Sequence, residues 1–296
     1  MQQETTQPSL RSSRVRRWVT HLWREWTIES WRPIAPAFAK PDPAAWNDAR
    51  LTAAWLGHAT VLIDLNGTRL LTDPVLRDRI GPLVRIAPGV ATDGVGRLDA
   101  VLLSHLHADH TDLPSLRGIA GAPVVLAPHP ARSWLGSKGM TAVRELRAAD
   151  HVNVGTVEVT AVPATHDRRR RPLGPAADPI GYVVRGSRSV YFAGDTDLDP
   201  AMADLRGSID VALVPVAGWG RSVGAGHLDP RRAATAVALI APAVAIPIHW
   251  GTFALRGLAR RRSDPRRPAG EFAALATRYA PGVDVRVLEP GERIEL

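Results

Sequence analysis

The chain has 296 residues, 45% of them hydrophobic, and a formal net charge of +8, which is long enough to bury a full core as one α/β domain. The absence of cysteine excludes disulfides, iron–sulfur clusters and zinc sites built on thiolates. No apolar run approaches the roughly 18 residues of a membrane span, and residues 1–7 lack the apolar core of a signal peptide, so we predict a cytoplasmic protein.

Arginine accounts for nearly all of the positive charge, since only Lys40 and Lys138 are lysines among the 37 basic residues. This bias, together with abundant alanine, glycine and proline, is typical of a GC-rich genome. The charge favours contact with anions in general. The arginine-rich runs at 168–171 and 256–267 lack the interleaved aromatic residues that stack on bases. We therefore expect no specific nucleic-acid binding.

Residues 1–48 form a basic, tryptophan-rich arm before the main domain, which we expect to span residues 49–296. An amphipathic helix is predicted at about 14–30, with a proline-rich linker at 33–48. The helix could lie at the inner membrane surface as a peripheral contact with anionic lipid. The favoured alternative is that it packs on the main domain or on a second copy in a homo-oligomer. Its apolar stripe comprises Val15, Trp18, Val19, Leu22 and Trp26.

The main domain alternates apolar runs with helix and turn signals. Asn66-Gly67 between two short runs predicts a hairpin. Asp112 is the expected N-cap of a helix with Pro114 in its first turn, and Asp229 that of a helix at 230–240. The segment 141–146 is ambiguous. Strands are predicted at 52–55, 60–65, 69–71, 100–103, 124–127, 157–162, 189–193, 211–216 and 244–248.

The most informative segment directly follows the strand at 100–103. Alternation places His105 and His107 on one side of an extended chain, and the turn that follows brings Asp109 and His110 to a second point nearby. Burying these four side chains without a cation would leave several polar groups unpaired, so we predict two adjacent divalent ions. Zn²⁺ suits such ligands best, with Mn²⁺ and Fe²⁺ as alternatives.

Three further candidate ligands each follow a predicted strand downstream. His166 comes after the run at 157–162, Asp195 after 189–193, and His249 after 244–248. Gly194 lets the backbone turn sharply before Asp195. Because open sheets place ligands and catalytic groups at the carboxyl ends of their strands, we expect these side chains to complete the site.

This combination resembles the metallo-β-lactamase superfamily, whose His-x-His-x-Asp-His motif is followed by a later His, a bridging Asp and a last His. The resemblance covers about residues 50–296. It implies an α/β fold with four αβ/βα layers, in which two mixed sheets are flanked by helices. It also implies that one metal is held by His105, His107 and His166, the other by Asp109, His110 and His249, and that Asp195 bridges them.

Three segments narrow the resemblance to one branch. Residues 55–60, 71–74 and 226–230 are similar to the branch that contains N-acylphosphatidylethanolamine-hydrolysing phospholipase D and the ascorbate-6-phosphate lactonases. The loop at 167–178 departs from that branch because it is rich in proline and arginine. Since such loops usually supply substrate contacts, the branch does not fix the substrate.

The implied activity is hydrolysis by a water activated between two metal ions. A phosphodiester or phospholipid is the expected substrate, and a sugar-phosphate lactone is the alternative small-molecule substrate. A non-catalytic scaffold or a nucleic-acid-binding protein is the outlying hypothesis. Asp109 is expected both to ligate a metal and to accept a hydrogen bond from the reacting water.

Other residues have a functional and a structural interpretation. His227, in a glycine-rich loop, could protonate a leaving group or contact the reacting group, or could simply precede a helix. Asp73 and His58 could orient metal-ligating side chains from behind, or cap a turn and fill the core. The arginine run at 168–171, represented by Arg168 and Arg169, could bind a phosphate at the pocket rim, or belong to an exposed loop.

Overall fold

The computed structural model describes residues 51–89, 92–170, 174–218, 223–257 and 264–296. The predicted helix at about 14–30 and the linker at 33–48 lie outside these residues. Within the described part, two seven-stranded sheets and one three-stranded sheet are combined with four α-helices.

The first sheet is antiparallel at one edge and parallel at the other. Its antiparallel part contains a hairpin whose turn residues, Asn66 and Gly67, both have positive φ, as the predicted hairpin turn requires. The strand order is β17-β1-β2-β3-β6-β7-β8. These strands are β1 (Leu51–Gly57), β2 (Thr60–Leu65), β3 (Thr68–Thr72), β6 (Ala100–Leu102), β7 (Val124–Pro128), β8 (Val143–Leu146) and β17 (Arg293–Glu295).

The second sheet repeats this mixed arrangement, with parallel strands at one edge and antiparallel strands at the other. Its order is β16-β14-β13-β12-β11-β10-β9. The strands are β9 (His151–Val154), β10 (Val157–Pro163), β11 (Ile180–Arg185), β12 (Ser189–Phe192), β13 (Val211–Pro215), β14 (Val244–Ile248) and β16 (Asp284–Val285).

A small antiparallel sheet and the helices complete the described fold. The small sheet consists of β4 (Arg79–Ile80), β5 (Leu83–Arg85) and β15 (Phe253–Leu255). The helices are α1 (Leu113–Gly118), α2 (Arg132–Ser137), α3 (Pro230–Ile240) and α4 (Arg267–Tyr279). The side chains of Asp112 and Asp229 cap α1 and α3 as predicted, each accepting a backbone N–H from the first turn.

Alternation along the strands divides the core into layers. Ala53 of β1 faces a core shared by the two large sheets, whereas its neighbour Ala54 faces a core that also contains Leu116 of α1 and Leu135 of α2. Phe272 of α4 and Val237 of α3 cover the outer face of the second sheet. The predicted four-layer sandwich of two mixed sheets flanked by helices is therefore confirmed.

Several local expectations need correction or completion. The ambiguous segment at 141–146 contains β8, and β9 follows it in the chain. The small sheet, β11 and α4 have no counterpart among the predicted elements. Among the described residues, no helix is both long and apolar enough to cross a bilayer.

Candidate metal centre

The predicted ligands all come together at the carboxyl ends of strands. His58 follows β1, Asp73 follows β3, and the segment 104–110 follows β6. On the second sheet, β10, β12 and β14 lead to the later candidates. The structure brings together His105, His107, Asp109, His110, His166, Asp195 and His249, with His58 and His227 at their edges.

Three of these histidines form what we call the cleft cluster: His105, His107 and His166. One ring nitrogen from each lies within 4.8 Å of the others. His107 Nδ1 and His166 Nε2 are 3.0 Å apart, and His105 Nε2 is buried without a hydrogen-bond partner. His107 and His166 are half-buried, so this cluster borders solvent.

Four residues form what we call the inner cluster: His58, Asp109, His110 and His249. One ligand atom from each again lies within 4.8 Å of the others. His110 Nε2 and His249 Nε2 face each other at 3.0 Å, and His58 Nε2 lies 3.2 Å from Asp109 Oδ2. The three histidine side chains are at most 2% exposed.

Asp195 lies beside both clusters. Its Oδ2 is 3.2 Å from His110 Nε2 and its Oδ1 is 3.3 Å from His249 Nε2. It also groups with His166 and His227. Oδ1 is buried without a hydrogen-bond partner. The position therefore suits a carboxylate shared by two cations.

Hydrogen bonds on the far side of the rings fix which nitrogen faces the centre. The Nδ1–H groups of His110, His166 and His249 donate to Asp73 Oδ2 at 2.7 Å, to the Gly226 carbonyl at 2.7 Å and to the Ala217 carbonyl at 2.6 Å, respectively. In the neutral rings, each Nε2 then carries a lone pair directed inward. Nitrogens that face each other at 3.0 Å need a cation or a proton between them. Because carboxylates lie beside these inward-facing nitrogens, the donor set as a whole fits divalent metal ions.

Most of the histidines are held neutral, as metal ligation requires. Burial lowers the pKa of His58 to about 3 and that of His166 to about 4. Burial likewise lowers the pKa of His105, His107 and His249. Neutral imidazoles can offer their lone pairs at pH 7.

The carboxylates and His110 carry the charges of the centre. Burial opposes ionisation of Asp195, but His110 and His249 outweigh it and hold its pKa well below the usual value. Burial also opposes ionisation of Asp109, but the hydrogen bond from His58 and the nearby His110 and His249 together outweigh it and hold its pKa well below the usual value. Burial opposes protonation of His110, yet Asp195 and Asp73 raise its pKa well above the usual value. The centre thus attracts positive charge.

Asp73 is connected to both clusters. It accepts the Nδ1–H of His110, and its two oxygens also accept the backbone N–H and the hydroxyl of Ser104 at 2.7 and 2.5 Å. The Ser104 oxygen in turn accepts from His105 Nδ1 at 2.9 Å. One fully buried carboxylate therefore orients His110 directly and His105 through Ser104.

The backbone around the centre adopts unusual conformations. His58, Asp73 and His249 all have positive φ, at 52°, 31° and 64°, a region that residues other than glycine rarely occupy. At Gly194, φ is +62° and a Cβ would meet the Ser104 side chain at 2.5 Å. Only glycine fits this turn, as the sequence predicted.

A cleft of about 410 Å³ opens beside the two clusters. His227 lines it, with its side chain 27% exposed, its Nε2 3.5 Å from Asp195 Oδ2 and its ring edge against His166. The turn between β4 and β5 forms an apolar wall. The lining comprises Ile80, Gly81, Pro82, Leu83, His107, Ala108, Asp109, Arg170, Asp195 and His227.

The arginine that lines the cleft is Arg170. Arg168 pairs with Asp178 at the surface, and Arg169 contributes its backbone, which hydrogen-bonds to His107. Arg170 donates to the carbonyls of Leu106 and Thr111 at 2.6 and 2.9 Å and stacks on Trp134. Sequence reasoning included Arg170 only as part of the arginine run at 168–171, and it assigned no role to Ser104, which directly precedes the metal motif.

Comparison with known families agrees with the fold and the motif. The chain matches the beta-lactamase superfamily domain over residues 68–250, and it belongs to that superfamily, as the sequence predicted. The described fold is similar to that of Igni18, a metallo hydrolase from Ignicoccus hospitalis, with a TM-score of 0.61 and 22% identity over 83% of this chain and 98% of that one.

Two curated relatives carry more specific names. The chain is 34% identical to a UPF0173 metal-dependent hydrolase of Methanopyrus kandleri over 81% of this chain and 98% of that protein. It is 30% identical to N-acyl-phosphatidylethanolamine-hydrolyzing phospholipase D 1 of Caenorhabditis elegans, over 70% of this chain and 65% of that protein.

Proposed function

We propose that this protein is a metal-dependent hydrolase that holds two divalent cations, with Zn²⁺ the preferred ion and Mn²⁺ or Fe²⁺ the alternatives. His105, His107 and His166 would hold one ion, Asp109, His110 and His249 the other, and Asp195 would contact both. The observation that carries the proposal is the pair of inward-facing nitrogens in each cluster, at 3.0 Å. The name of the Methanopyrus kandleri relative supports the same class.

Bound divalent cations would lower the pKa of a water molecule and stabilise negative charge on the substrate. The protein's own groups would then position the reactants. Asp109 lies 3.2 Å from His58 and lines the cleft, where it would accept a hydrogen bond from the reacting water. His227 lies on the cleft side of Asp195, where it could donate a proton to a leaving oxygen.

A phosphodiester, and in particular a phospholipid, is the proposed substrate class. The cleft combines an apolar wall at Ile80–Leu83 with the cationic Arg170, which suits a substrate that has an anionic and an apolar part. The similarity to a phospholipase D of Caenorhabditis elegans supports this choice. Arg170, rather than Arg168 or Arg169, is the side chain proposed to contact the phosphate.

A lactone of a sugar phosphate is the second candidate. The cleft volume of about 410 Å³ is near the lower end for small-molecule sites, which run from about 300 to 1,000 Å³. Such a volume admits a small anionic lactone entirely, whereas a phospholipid would place only its headgroup there.

A parallel assay of the purified, metal-loaded protein tests these proposals. The substrates are bis(p-nitrophenyl) phosphate, an N-acyl phosphatidylethanolamine and a sugar-phosphate lactone, with chelated protein as the control. We expect chelator-sensitive hydrolysis of the phosphodiesters. Turnover of the lactone alone would favour the second candidate, and inactivity on all three with two ions bound would favour a non-catalytic scaffold.

A further inference from the structure

His227 has few contacts of its own that could hold it in place. Its Nδ1 lies 3.2 Å from the carbonyl of Ala225, two residues away, and its Nε2 is 3.5 Å from Asp195. The side chain is 27% exposed. Apart from these contacts and the edge-to-face packing on His166 at 4.6 Å, the position of its ring is set by the backbone that carries it.

Gly226 links that backbone to the segments that follow β10 and β12. The Gly226 carbonyl accepts the Nδ1–H of His166 at 2.7 Å, and its N–H donates to Asp197 Oδ2 at 3.2 Å. Gly226 has a φ of +78°, and a Cβ there would meet the His166 backbone and ring at 3.2 Å. One peptide thus sets the tautomer of a cleft-cluster histidine and the position of His227.

Asp197 is itself fixed on the second sheet. Its backbone N–H donates to the carbonyl of Thr165 at 2.8 Å, which aligns the segment after β12 with the segment that carries His166. Its Oδ1 accepts the N–H of Leu198 at 2.6 Å and is paired with the guanidinium of Arg232. Arg232 lies in the first turn of α3 and also donates to the His227 carbonyl at 3.4 Å.

We propose that Asp197 and Arg232 are positioning residues that clamp the loop at 225–227 between the second sheet and α3, holding His227 toward the cleft and His166 in its ligating tautomer. The Arg232 and Asp197 side chains are 40% and 19% exposed, and pairs of this kind contribute little to global stability. The role of the pair is therefore local. It rests on the proposed hydrolase function.

Variants of the full-length protein separate this role from a general effect on folding. The test set is Asp197→Asn, Arg232→Gln, the double variant, and Arg232→Lys as the charge-conserving variant. Arg231→Gln is the matched control, because Arg231 is the neighbouring, exposed residue of α3 and undergoes the same charge change. Each variant is compared in kcat, KM, metal content and hydrogen–deuterium exchange of the peptide containing Gly226.

We expect Asp197→Asn and Arg232→Gln each to lower kcat about tenfold with little change in KM, since small misplacements of a reacting group can reduce rates by up to about 10². The Gly226 amide should exchange faster in both. The double variant should be no worse than either single one, because the two residues act as a unit. Arg232→Lys should recover most of the loss, and Arg231→Gln should match the wild type.

Unchanged exchange at Gly226 in both single variants would overturn the proposal, as would additive losses in the double variant. A lowered melting temperature with kcat and KM intact would also overturn it, because the pair would then be only structural. If the wild type hydrolyses none of the substrates, the proposed function fails. The exchange measurement still decides whether the pair holds the loop, since it requires no turnover.

Discussion

The inner and cleft clusters have similar side chains but different supports. In the inner cluster, His110 and His249 are almost fully buried, and their outer nitrogens donate to Asp73 at the end of β3 and to the Ala217 carbonyl beyond β13. In the cleft cluster, His107 and His166 are half-buried, and His166 depends on the carbonyl of Gly226 in a loop.

We infer that this difference in support affects how strongly each cluster retains a metal ion. Groups anchored at strand ends in a packed core keep their geometry without a ligand. Groups held by loops adjust more readily and lie where substrate arrives. We therefore expect the inner cluster to retain its ion more strongly and the cleft cluster to exchange its ion more readily.

Removing the carboxylate common to both clusters should have the largest effect. Asp195→Ala should reduce the metal content below about two ions per chain and lower activity by about 10³-fold or more. Without the Asp195 carboxylate, the two metal ions lose a shared ligand and the negative charge that compensates their own charge. Elemental analysis and initial rates measure this. Asp204→Ala, at an exposed position in the same connection, is the control. A variant that keeps two ions and full activity would contradict the role of Asp195.

His227 should affect the reaction without affecting either cluster's ions. His227→Ala is expected to lower kcat by about 10²-fold, as for a lost proton donor, while metal content and melting temperature stay near wild type. The ring contacts His166 only by its edge, so the ligand set should survive. Loss of one ion in this variant would show instead that His227 is a ligand, consistent with its grouping with His166 and Asp195.

The sequence was most informative where a histidine or aspartate directly follows a predicted strand. Apolar runs before His105, His166, Asp195 and His249 located the strands. The strands before His166, Asp195 and His249 run in the same direction in the second sheet and bring their carboxyl ends to one edge, whereas His105 follows β6 of the first sheet. The structure places these residues together. Their metal-binding roles remain predictions that the metal analysis tests.

Other features were beyond sequence reasoning for physical reasons. β4, β5 and β15 have only two or three residues each, too few for a periodic pattern. In the arginine run at 168–171, no local signal distinguishes the cleft-lining Arg170 from Arg168, because the difference arises from the pairing of Arg168 with Asp178. The contact between Asp197 and Gly226 joins segments 29 residues apart.

Asp73 and Ser104 provide a direct test of the difference between the clusters. Asp73→Asn should weaken binding of both ions by about 10- to 100-fold, the usual effect of removing a group that orients ligands, because Asp73 reaches His110 directly and His105 through Ser104. Ser104→Ala removes only the hydroxyl that accepts from His105. It should therefore leave one tightly bound ion. Competition with a chromophoric chelator measures the affinity for each ion. If Ser104→Ala weakened the binding of both ions equally, the proposed difference between the two clusters would be contradicted.

The smallest expected effect concerns acid stability of the chelated protein, through His58 of the inner cluster. Burial lowers the pKa of His58 from the ordinary 6.5 of an exposed histidine to about 3, so the folded state binds fewer protons than the unfolded state below pH 6.5. Stability due to this group is complete above that pH and decreases as the pH falls toward 3. Between pH 7 and 5 the loss should be about 2 kcal/mol.

His58→Gln removes this titration while keeping a donor for Asp109. Denaturant unfolding at pH 7 and pH 5, in the presence of chelator, should show a smaller acid-dependent loss for His58→Gln than for the wild type. His151→Gln, in the exposed start of β9, should follow the wild type. An equal loss in His58→Gln and wild type would mean that His58 is not kept neutral by burial. The inner cluster would then be more accessible to protons than the packing of His58 against His249 and Phe253 indicates. The contrast between the inner and cleft clusters would be correspondingly weaker.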